Sequence, residues 1–361
     1  MPPLKPVRPF GSRSILIACL LAVLPGVGYS AGSYQIFVSN ERSGDVTVID
    51  GSDFHVLATI PVGKRPRGIH GSADGTRVYV ALSGTPIEAP PQLDAHGNPI
   101  FKRGTDDDDD ENADKSADGI GVVDVAQRKL IEKIKVGSDP EEFDLSRDGT
   151  RLYVSNEDVE TASVLNIATG KLEHIVLVGQ EPEGVAATPD GRSFYVTCET
   201  GGDIFDVDTA TYTTVHFKVD PRPRSVAFLP GTHIGFIPSE SAGELNVIDY
   251  ARARLLKVIT LLPGSRPMKV KVSADGRRVY TSNGRAGTVS VFDAHTYQLL
   301  HTIKVGKRPW GLAFSPDGRY LFTANGPSND VSVVDLRANK EIARIRAGGS
   351  PWGITVLSNA P

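Results

Sequence analysis

The sequence predicts an all-β protein, a seven-bladed β-propeller with four antiparallel strands per blade. A proline in a Gly-x-x-Pro-like turn recurs at intervals close to 42 residues, with one longer interval. Each copy also carries short apolar runs separated by turn residues, and helical periodicity is nearly absent. A period of about 42 with four strands is typical of propellers. The turn prolines are Pro66, Pro140, Pro182, Pro223, Pro267, Pro309 and Pro351.

Each repeat predicts four strands, named a to d in chain order from its proline. Strand a follows the proline, as at 311–314, and an Asp-Gly hairpin such as 315–318 leads into strand b. Asp-Gly between apolar runs is a strong hairpin signal because glycine tolerates a positive φ. Strand b is aromatic and often ends in Asn, as at 321–325, and strand c alternates toward an Asp, as at 331–335. We expect these Asn and Asp side chains to cap the following turns. The repeat around 229–233 is the least regular copy.

The two ends of the chain are predicted to share one blade. The last strand, about 353–357, has no following hairpin, whereas an unpaired strand stands at about 34–40 before the first proline. Pairing these strands antiparallel would close the ring and remove the exposed sheet edges. The sequence therefore predicts a single propeller domain within residues 31–361.

The N-terminus predicts export. Three basic residues precede the apolar run Ser14–Leu24, which is short for a membrane span. Small residues Gly28 and Ser30 fit a signal-peptidase site, so residues 1–30 are predicted to be a cleaved signal peptide. A retained anchor and a lipoprotein at Cys19 are the alternatives. We expect a periplasmic monomer without a membrane span, with the cell surface as the alternative location.

Composition limits the partners and the stabilising bonds. The formal net charge is −4 and 23% of residues are charged, so the basic surplus of a nucleic-acid-binding protein is missing. Removing the signal peptide would leave Cys198 as the last cysteine. The mature chain is therefore predicted to contain no internal disulfide and to depend on packing.

An acidic insertion at about 84–118 accounts for the one long interval. It contains the run Asp106, Asp107, Asp108, Asp109 and Asp110. Like charges in such a block repel one another, which favours a solvated segment. An EF-hand loop starting at Asp106 would need Gly at position six and Glu at position twelve, where Glu111 and Ala117 stand. Weak Ca²⁺ binding and docking of a basic protein remain alternatives, and no other cofactor or metal is expected.

The positions that differ most between repeats lie on the d–a turns around the predicted channel. With strands alternating in direction, the d–a and b–c loops share one face. The predicted rim combines basic, acidic and aromatic side chains, which would suit a charged partner or an anionic ligand. The alternatives are a rim whose charges pair with one another and tryptophans that pack on the turn proline. The predicted binding residues are Arg65, Arg67, Glu141, Glu183, Arg224, Lys269, Arg308, Trp310 and Trp352.

Common catalytic motifs are missing from the sequence. The eight histidines form no HExxH pair, and there is no C-x-x-C-H haem attachment or G-x-S-x-G elbow. A site assembled from distant blades would leave no spacing signal. The sequence therefore names no catalytic residue, and a non-enzymatic protein is favoured without excluding an enzyme.

Several motifs carry a family resemblance. The strands LYVSN and SPDGRYLFTAN, with the turn VGxxPxG, resemble the YVTN-type β-propeller repeat family. SNERSGDVTVID and FTANGPSNDVSVVD are similar to the bacterial propeller proteins associated with PQQ-dependent catabolism. This resemblance implies a periplasmic accessory role beside quinoprotein oxidation systems, without a PQQ site in this chain.

Together these observations favour a non-enzymatic periplasmic platform that binds a protein, such as a redox protein, through its rim and acidic loop. The first alternative is a lactonase-like hydrolase with a channel-mouth site of Glu141, Glu183, Arg224 and Trp310. The second alternative is a cell-surface or extracellular-layer propeller.

Overall fold

Twenty-eight β-strands and one short 3-10 helix, Glu157–Val159, form the regular structure of the described residues. The computed structural model describes residues 1–2, 33–87 and 113–358. Within those ranges there is no α-helix, which confirms the predicted all-β class. The strands are β1 (Tyr34–Asn40), β2 (Asp45–Asp50), β3 (Val56–Pro61), β4 (Ile69–Gly71), β5 (Arg77–Leu82), β6 (Gly119–Asp124), β7 (Lys129–Ile134), β8 (Pro140–Leu145), β9 (Arg151–Asn156), β10 (Thr161–Asn166), β11 (Lys171–Leu177), β12 (Pro182–Ala187), β13 (Ser193–Cys198), β14 (Asp203–Asp208), β15 (Thr214–Lys218), β16 (Ala227–Phe228), β17 (Ile234–Ser239), β18 (Glu244–Asp249), β19 (Arg254–Thr260), β20 (Pro267–Val272), β21 (Arg278–Asn283), β22 (Thr288–Asp293), β23 (Leu299–Lys304), β24 (Pro309–Phe314), β25 (Tyr320–Asn325), β26 (Asp330–Asp335), β27 (Lys340–Arg346) and β28 (Pro351–Ser358).

The strands form seven four-stranded antiparallel sheets, the blades of the predicted propeller. Blade 1 has the order β28-β1-β2-β3, and blades 2 to 7 take the remaining strands in consecutive groups of four. The first strand of each order lies at the central channel, and the fourth is the mostly exposed outer strand. The least regular repeat forms blade 5, whose inner strand β16 is only two residues long.

Ring closure occurs as the sequence predicts. β1 pairs antiparallel with β28, with Tyr34 opposite Ser358 and Val38 opposite Ile354. Blade 1 therefore contains both ends of the described propeller chain, and its inner strand comes from the C-terminus. Pairing satisfies backbone groups of both strands that would otherwise form open edges.

The turn residues form hydrogen bonds within their own turns, as blade 7 shows. Gly318 has a φ of 67°, and the Asp317 carboxylate accepts hydrogen bonds from Ser315 Oγ at 2.6 Å and Arg319 N at 3.0 Å. At the other end, Asn325 Nδ2 donates to Asp330 Oδ1 at 2.7 Å across the b–c turn. Asp335, which ends strand c, accepts hydrogen bonds at Oδ1 from Arg337 N at 2.8 Å and from Ala338 N at 3.0 Å, which confirms the predicted capping of the following turn by this Asp.

The hydrophobic core is divided among the blade interfaces. Seven buried clusters each join two neighbouring blades. Between blades 1 and 7, for example, Ile36 and Val38 pack with Phe322 and Val331, all fully buried. A single blade cannot cover both of its apolar faces, so the faces are buried by stacking the blades around the ring.

All 28 strands lie in one compact unit, Gly32–Pro361. No helix of the described residues is long and apolar enough to cross a membrane. The predicted signal peptide falls almost wholly in residues 3–32, and Asp106–Asp110 fall in residues 88–112, both outside the described ranges. Export and the role of the acidic run therefore stay predictions.

Candidate functional site

The channel is closed at the end of the d–a turns by the residue that follows each turn proline. Apart from Trp310, which is half-buried, all of these side chains are less than a tenth exposed. This set, called the rim layer below, consists of Arg67, Glu141, Glu183, Arg224, Met268, Trp310 and Trp352. The rim layer is therefore a packed plate of side chains rather than a solvated ring.

Serine hydroxyl groups on strand b form hydrogen bonds that connect neighbouring inner strands. Ser155 Oγ accepts a hydrogen bond from Glu142 N at 3.1 Å and donates to Glu183 O at 2.7 Å. Ser282 Oγ likewise accepts from Lys269 N at 3.1 Å and donates to Trp310 O at 2.7 Å. Such buried bridges fix the spacing of the inner strands and hence the positions of the charged side chains.

Two arginines organise the acidic side chains in and next to the rim layer. Arg67 contacts Glu141 directly, and its guanidinium lies 3.3 Å from Glu41 and 3.6 Å from Glu157. In the second group, Arg224 contacts Glu199, lies 3.1 Å from Glu183 and donates to Glu240 at 2.7 Å. The predicted acidic and basic residues therefore pair largely with one another, as one of the alternatives proposed.

Four of these carboxylates, Glu41, Glu157, Glu199 and Glu240, were missed by the sequence analysis. Each follows the end of strand b by one residue, in SNE, SNE, TCE and PSE. The predicted residues stand on or next to the d–a turns, whereas these four glutamates stand on the b–c turns of the same face. The glutamate that recurs at the residue after strand b in four repeats is the signal that could have identified them.

Burial changes the ionisation of the Arg67 group. Burial raises the pKa of Glu157 well above its ordinary value, and the nearby Asp139 and Glu183 add to this against the opposing effect of Arg67. Although burial alone would lower the pKa of Arg67, the carboxylates of Asp139 and Glu41 raise it. Glu157 is thus the acid of this group that is favoured to hold a proton.

The ligand atoms of Asp139, Glu141 and Glu157 lie within 4.8 Å of one another, a spacing that a metal ion could use. Arg67 already contacts Glu141 and lies near the other two carboxylates. Its guanidinium supplies the positive charge that the trio requires, so this arrangement fits an arginine cluster rather than a metal site.

The two tryptophans form the aromatic part of the rim layer. Trp310 and Trp352 are stacked, with ring centroids 4.9 Å apart and an angle of 24° between the planes. The guanidinium carbons of Arg224 and Arg308 lie 5.1 and 5.6 Å from the Trp310 ring centroid. Two guanidinium groups therefore lie close to the Trp310 ring, an arrangement that favours cation–π attraction.

A cavity of about 210 Å³ lies within the channel, next to the tryptophan pair. Its apolar wall comes mainly from blades 1, 6 and 7, including Met268, Trp310 and Trp352. The polar lining residues are His70, Glu142, Arg224, Lys269, Lys271 and Thr355. An apolar pocket with a few convergent polar groups is the usual form of a small-molecule site.

Three of these polar residues come from blades 2, 3 and 6 and meet in the channel. His70 Nε2 lies 3.1 Å from Glu142 Oε1, and Lys269 Nζ contacts the other carboxylate oxygen of Glu142. Burial alone would raise the pKa of Glu142, but Lys269 and His70 hold it well below its usual range. The Glu142 carboxylate is thus ionised and orients both of its partners.

The nine predicted rim residues fall into separate groups. Arg67 pairs with Glu141, Arg65 pairs with Glu41 and Asp139, and Arg224 pairs with Glu183 and lies over the Trp310 ring. Of the nine, Arg224, Lys269, Trp310 and Trp352 line the cavity. The other polar lining residues, His70, Glu142, Lys271 and Thr355, are not in the predicted set.

Residues 178–347 match the family described as lactonase, 7-bladed β-propeller. The match covers just under half of the chain and supports the propeller part of the resemblance noted in the sequence. It does not support the subgroup associated with PQQ-dependent catabolism. Comparison with curated proteins gave no match.

Solved structures share the fold along most of their length. The periplasmic gluconolactonase PpgL of Pseudomonas aeruginosa is 20% identical, with a TM-score of 0.68 over 91% of this chain and 100% of that one. A functionally unknown protein from Desulfotomaculum acetoxidans is 13% identical, with a TM-score of 0.71 over 90% and 98%. Hydrazine synthase of Kuenenia stuttgartiensis is 20% identical, with a TM-score of 0.66 over 81% and 89%. At these identities the likeness establishes the fold alone.

The expectation of a non-enzymatic binding platform is wrong. The family match to lactonase propellers overturns it and favours the first alternative, a lactonase-like hydrolase. The physical reason for the error lies in the rim layer. Its alternating charges suggested a docking surface, whereas most of them are buried and paired with one another.

Proposed function

We propose that this protein is a lactonase-like hydrolase that opens small cyclic esters in its channel cavity. The observation that carries the proposal is the contact of Glu142 with both His70 and Lys269 at the wall of that cavity. A carboxylate that orients an imidazole, with a cation beside it, is an arrangement suited to acyl transfer. The lactonase family match over residues 178–347 supports the same activity.

The cavity fits a ligand the size of one sugar ring. Its volume of about 210 Å³ is below the range of about 300–1,000 Å³ typical of drug-sized ligands. Trp310, Trp352 and Met268 offer apolar surface to one side of a ring, and Lys269 and Arg224 offer donors to its oxygens. Aldonolactones, the rings that gluconolactonases open, match this mixed lining.

His70 is the proposed general base. With the proton on Nε2, the imidazole donates to Glu142 Oε1, and the lone pair of Nδ1 can take a proton from water. The hydroxide formed in this way attacks the carbonyl carbon of the lactone. The proton taken up by His70 then passes to the ring oxygen as the carbon–oxygen bond breaks, which yields the open hydroxy acid.

Lys269 is the proposed stabiliser of the oxyanion. Its ammonium carries three donors, and the contact with the Glu142 side chain uses one of them. As the carbonyl oxygen becomes negative in the tetrahedral intermediate, a nearby ammonium in a partly buried site lowers the energy of that charge. By contacting both side chains, Glu142 holds the base His70 and the cation Lys269 close to each other at the cavity wall.

Hydrolysis of glucono-δ-lactone, followed by acid release in a pH-stat after subtraction of the spontaneous rate, tests the proposal. We expect His70→Gln to lower kcat by roughly 10²–10⁴-fold, the contribution typical of a general base. Glu142→Gln should also lower kcat because it releases His70 and Lys269. The matched control is His301→Gln on the exposed outer strand β23, which should retain full activity.

Two results would contradict the proposal. One is a wild-type rate equal to the spontaneous rate for glucono-δ-lactone and other five- and six-membered lactones. The other is hydrolysis that His70→Gln and Glu142→Gln leave unchanged, which would place the site outside this cavity.

A further inference from the structure

The two ends of the channel differ in how much of their lining is exposed. Six of the seven rim-layer residues are less than a tenth exposed. The residues four positions after each turn proline lie nearer the a–b hairpins, and all but Ala313 are partly exposed. This second set, the hairpin layer, consists of His70, Asp144, Ala186, Ala227, Lys271, Ala313 and Thr355.

Four of the seven hairpin-layer side chains are small. Ala occurs in blades 4, 5 and 7, and Thr355 in blade 1. The cavity includes hairpin-layer residues His70, Lys271 and Thr355 as well as rim-layer residues Trp310 and Trp352. Because the rim layer is packed and the hairpin layer is open, the cavity faces solvent at the end of the a–b hairpins.

The acidic groups near Lys271 are already engaged. Glu142 is held by Lys269 and His70. Asp144 accepts backbone hydrogen bonds at both oxygens, from Leu145 N to Oδ1 and from Ala187 N to Oδ2, each at 2.9 Å.

Within residues 33–87 and 113–358, the structure shows no ion pair or hydrogen bond from the Lys271 ammonium. Burial lowers its pKa, and the neighbouring Lys269 adds to the effect, while Asp144 and Glu142 oppose it. A partly buried cation without a counter-ion at a cavity wall is costly, and an anion in the cavity would offset that cost.

We propose that Lys271 binds an anionic group of the ligand at the hairpin-layer mouth of the cavity, whose wall also includes the Thr355 hydroxyl. The anionic group is a carboxylate or a phosphate, since both accept charge-assisted hydrogen bonds from an ammonium. The class of ligand rests on the proposed function, namely a lactone that carries an acidic substituent or the hydroxy acid that its hydrolysis forms. Access from the hairpin end places the ligand's anionic group outward and its ring toward Trp310 and Trp352.

Binding of four open-chain probes separates the two anions without any turnover. Glucitol carries neither anion, gluconate a carboxylate, glucitol 6-phosphate a phosphate, and 6-phosphogluconate both. Isothermal titration calorimetry on the full chain gives a Kd for each probe with wild type and with Lys271→Met, which keeps the apolar stem. We expect Lys271→Met to raise the Kd of the anionic probes by at least about tenfold and to leave glucitol unchanged.

Two further variants control the experiment. Lys271→Arg keeps the charge and should bind anions nearly as wild type does, and Lys304→Met removes an exposed lysine on the outer strand β23. The probe whose affinity depends on Lys271 identifies the anion as carboxylate or phosphate. Equal Kd values in wild type and Lys271→Met, or no binding of any anionic probe to wild type, would overturn the proposal. Since no hydrolysis is measured, a failure of the lactonase proposal would show separately, as missing turnover.

Discussion

Gly68 lies so close to Glu142 that a β-carbon built on the glycine would stand 2.5 Å from the glutamate Oε1. The same β-carbon would lie 2.9 Å from the backbone oxygen of Glu141. The missing side chain at position 68 therefore makes room for the inner strand of blade 3 and for the carboxylate that holds His70 and Lys269.

Gly68→Ala tests whether this room is needed. The methyl group must displace Glu142, so we expect kcat for lactone hydrolysis to fall by at least about tenfold. Overpacking of a tight contact typically costs about 1–3 kcal/mol, and we expect a loss of that size in the free energy of unfolding. Lactone hydrolysis and urea unfolding measure the two effects.

Gly326→Ala is the matched control. The nearest heavy atom to a β-carbon at that position is 3.6 Å away, an ordinary van der Waals distance. This variant should keep both activity and stability. Full activity together with wild-type stability in Gly68→Ala would show that Glu142 does not depend on the glycine.

The fold could be predicted almost completely from the sequence because its physical signals are local and repeated. Hairpins such as 315–318 mark where each blade turns, and the period indicates how many blades there are. Ring closure by residues 34–40 could be predicted because one unpaired strand stands at each end of the chain. The hairpins and the period depend on neighbours along the chain, and the closure depends on counting the strands of each repeat; a sequence displays both directly.

The candidate site was harder to predict because its residues meet across the ring. His70, Glu142 and Lys269 come from blades 2, 3 and 6, and no spacing in the chain brings them together. The repeat shows which positions are equivalent, but the distance between equivalent positions depends on the width of the channel. The sequence also does not show that the rim-layer side chains are buried. Their charges, which pair with one another, were therefore interpreted as a docking surface.

The stacking of Trp310 and Trp352 is predicted to stabilise the rim layer beyond the area it buries. A double-mutant cycle with Trp310→Leu and Trp352→Leu should give a coupling energy of about 0.5–1.5 kcal/mol, the range measured for aromatic pairs. Urea unfolding of wild type, the two single variants and the double variant gives this coupling energy. A matched cycle pairing Trp310→Leu with Val215→Ala, on the exposed strand β15, should be additive. Additivity in the tryptophan cycle as well would mean that the rings contribute only their buried area.

Glu244 and Asp220 predict a pH-dependent stability in blade 5. Burial and a hydrogen bond with Asp220 raise the pKa of Glu244 to about 7 from an ordinary 4.5. Because the folded value is the higher one, the folded state binds the extra proton. Its stabilising contribution is full below about pH 4.5 and is lost as the pH rises through about 7.

Glu244→Gln should remove that dependence. We expect the variant to be more stable than wild type at about pH 8, where wild type carries the ionised pair, and to lose this advantage at about pH 5. Thermal unfolding at the two pH values measures it, with the exposed Glu132→Gln as control. A difference from wild type that is the same at both pH values would show that Glu244 does not titrate in this range.

Ring closure by β28 predicts what happens when the C-terminus is shortened. Deleting residues 351–361 removes the strand paired with β1 and leaves the edge of Tyr34–Asn40 open. An exposed edge strand can pair with another chain, so we expect a lower unfolding temperature and concentration-dependent association. Light scattering coupled to size-exclusion chromatography detects the association, and a synthetic peptide of residues 351–358 should reverse it by occupying the open edge. Deleting only residues 359–361 is the control, since β28 ends at Ser358. A shortened protein that stays monomeric with the wild-type unfolding temperature would mean that blade 1 is stable with three strands.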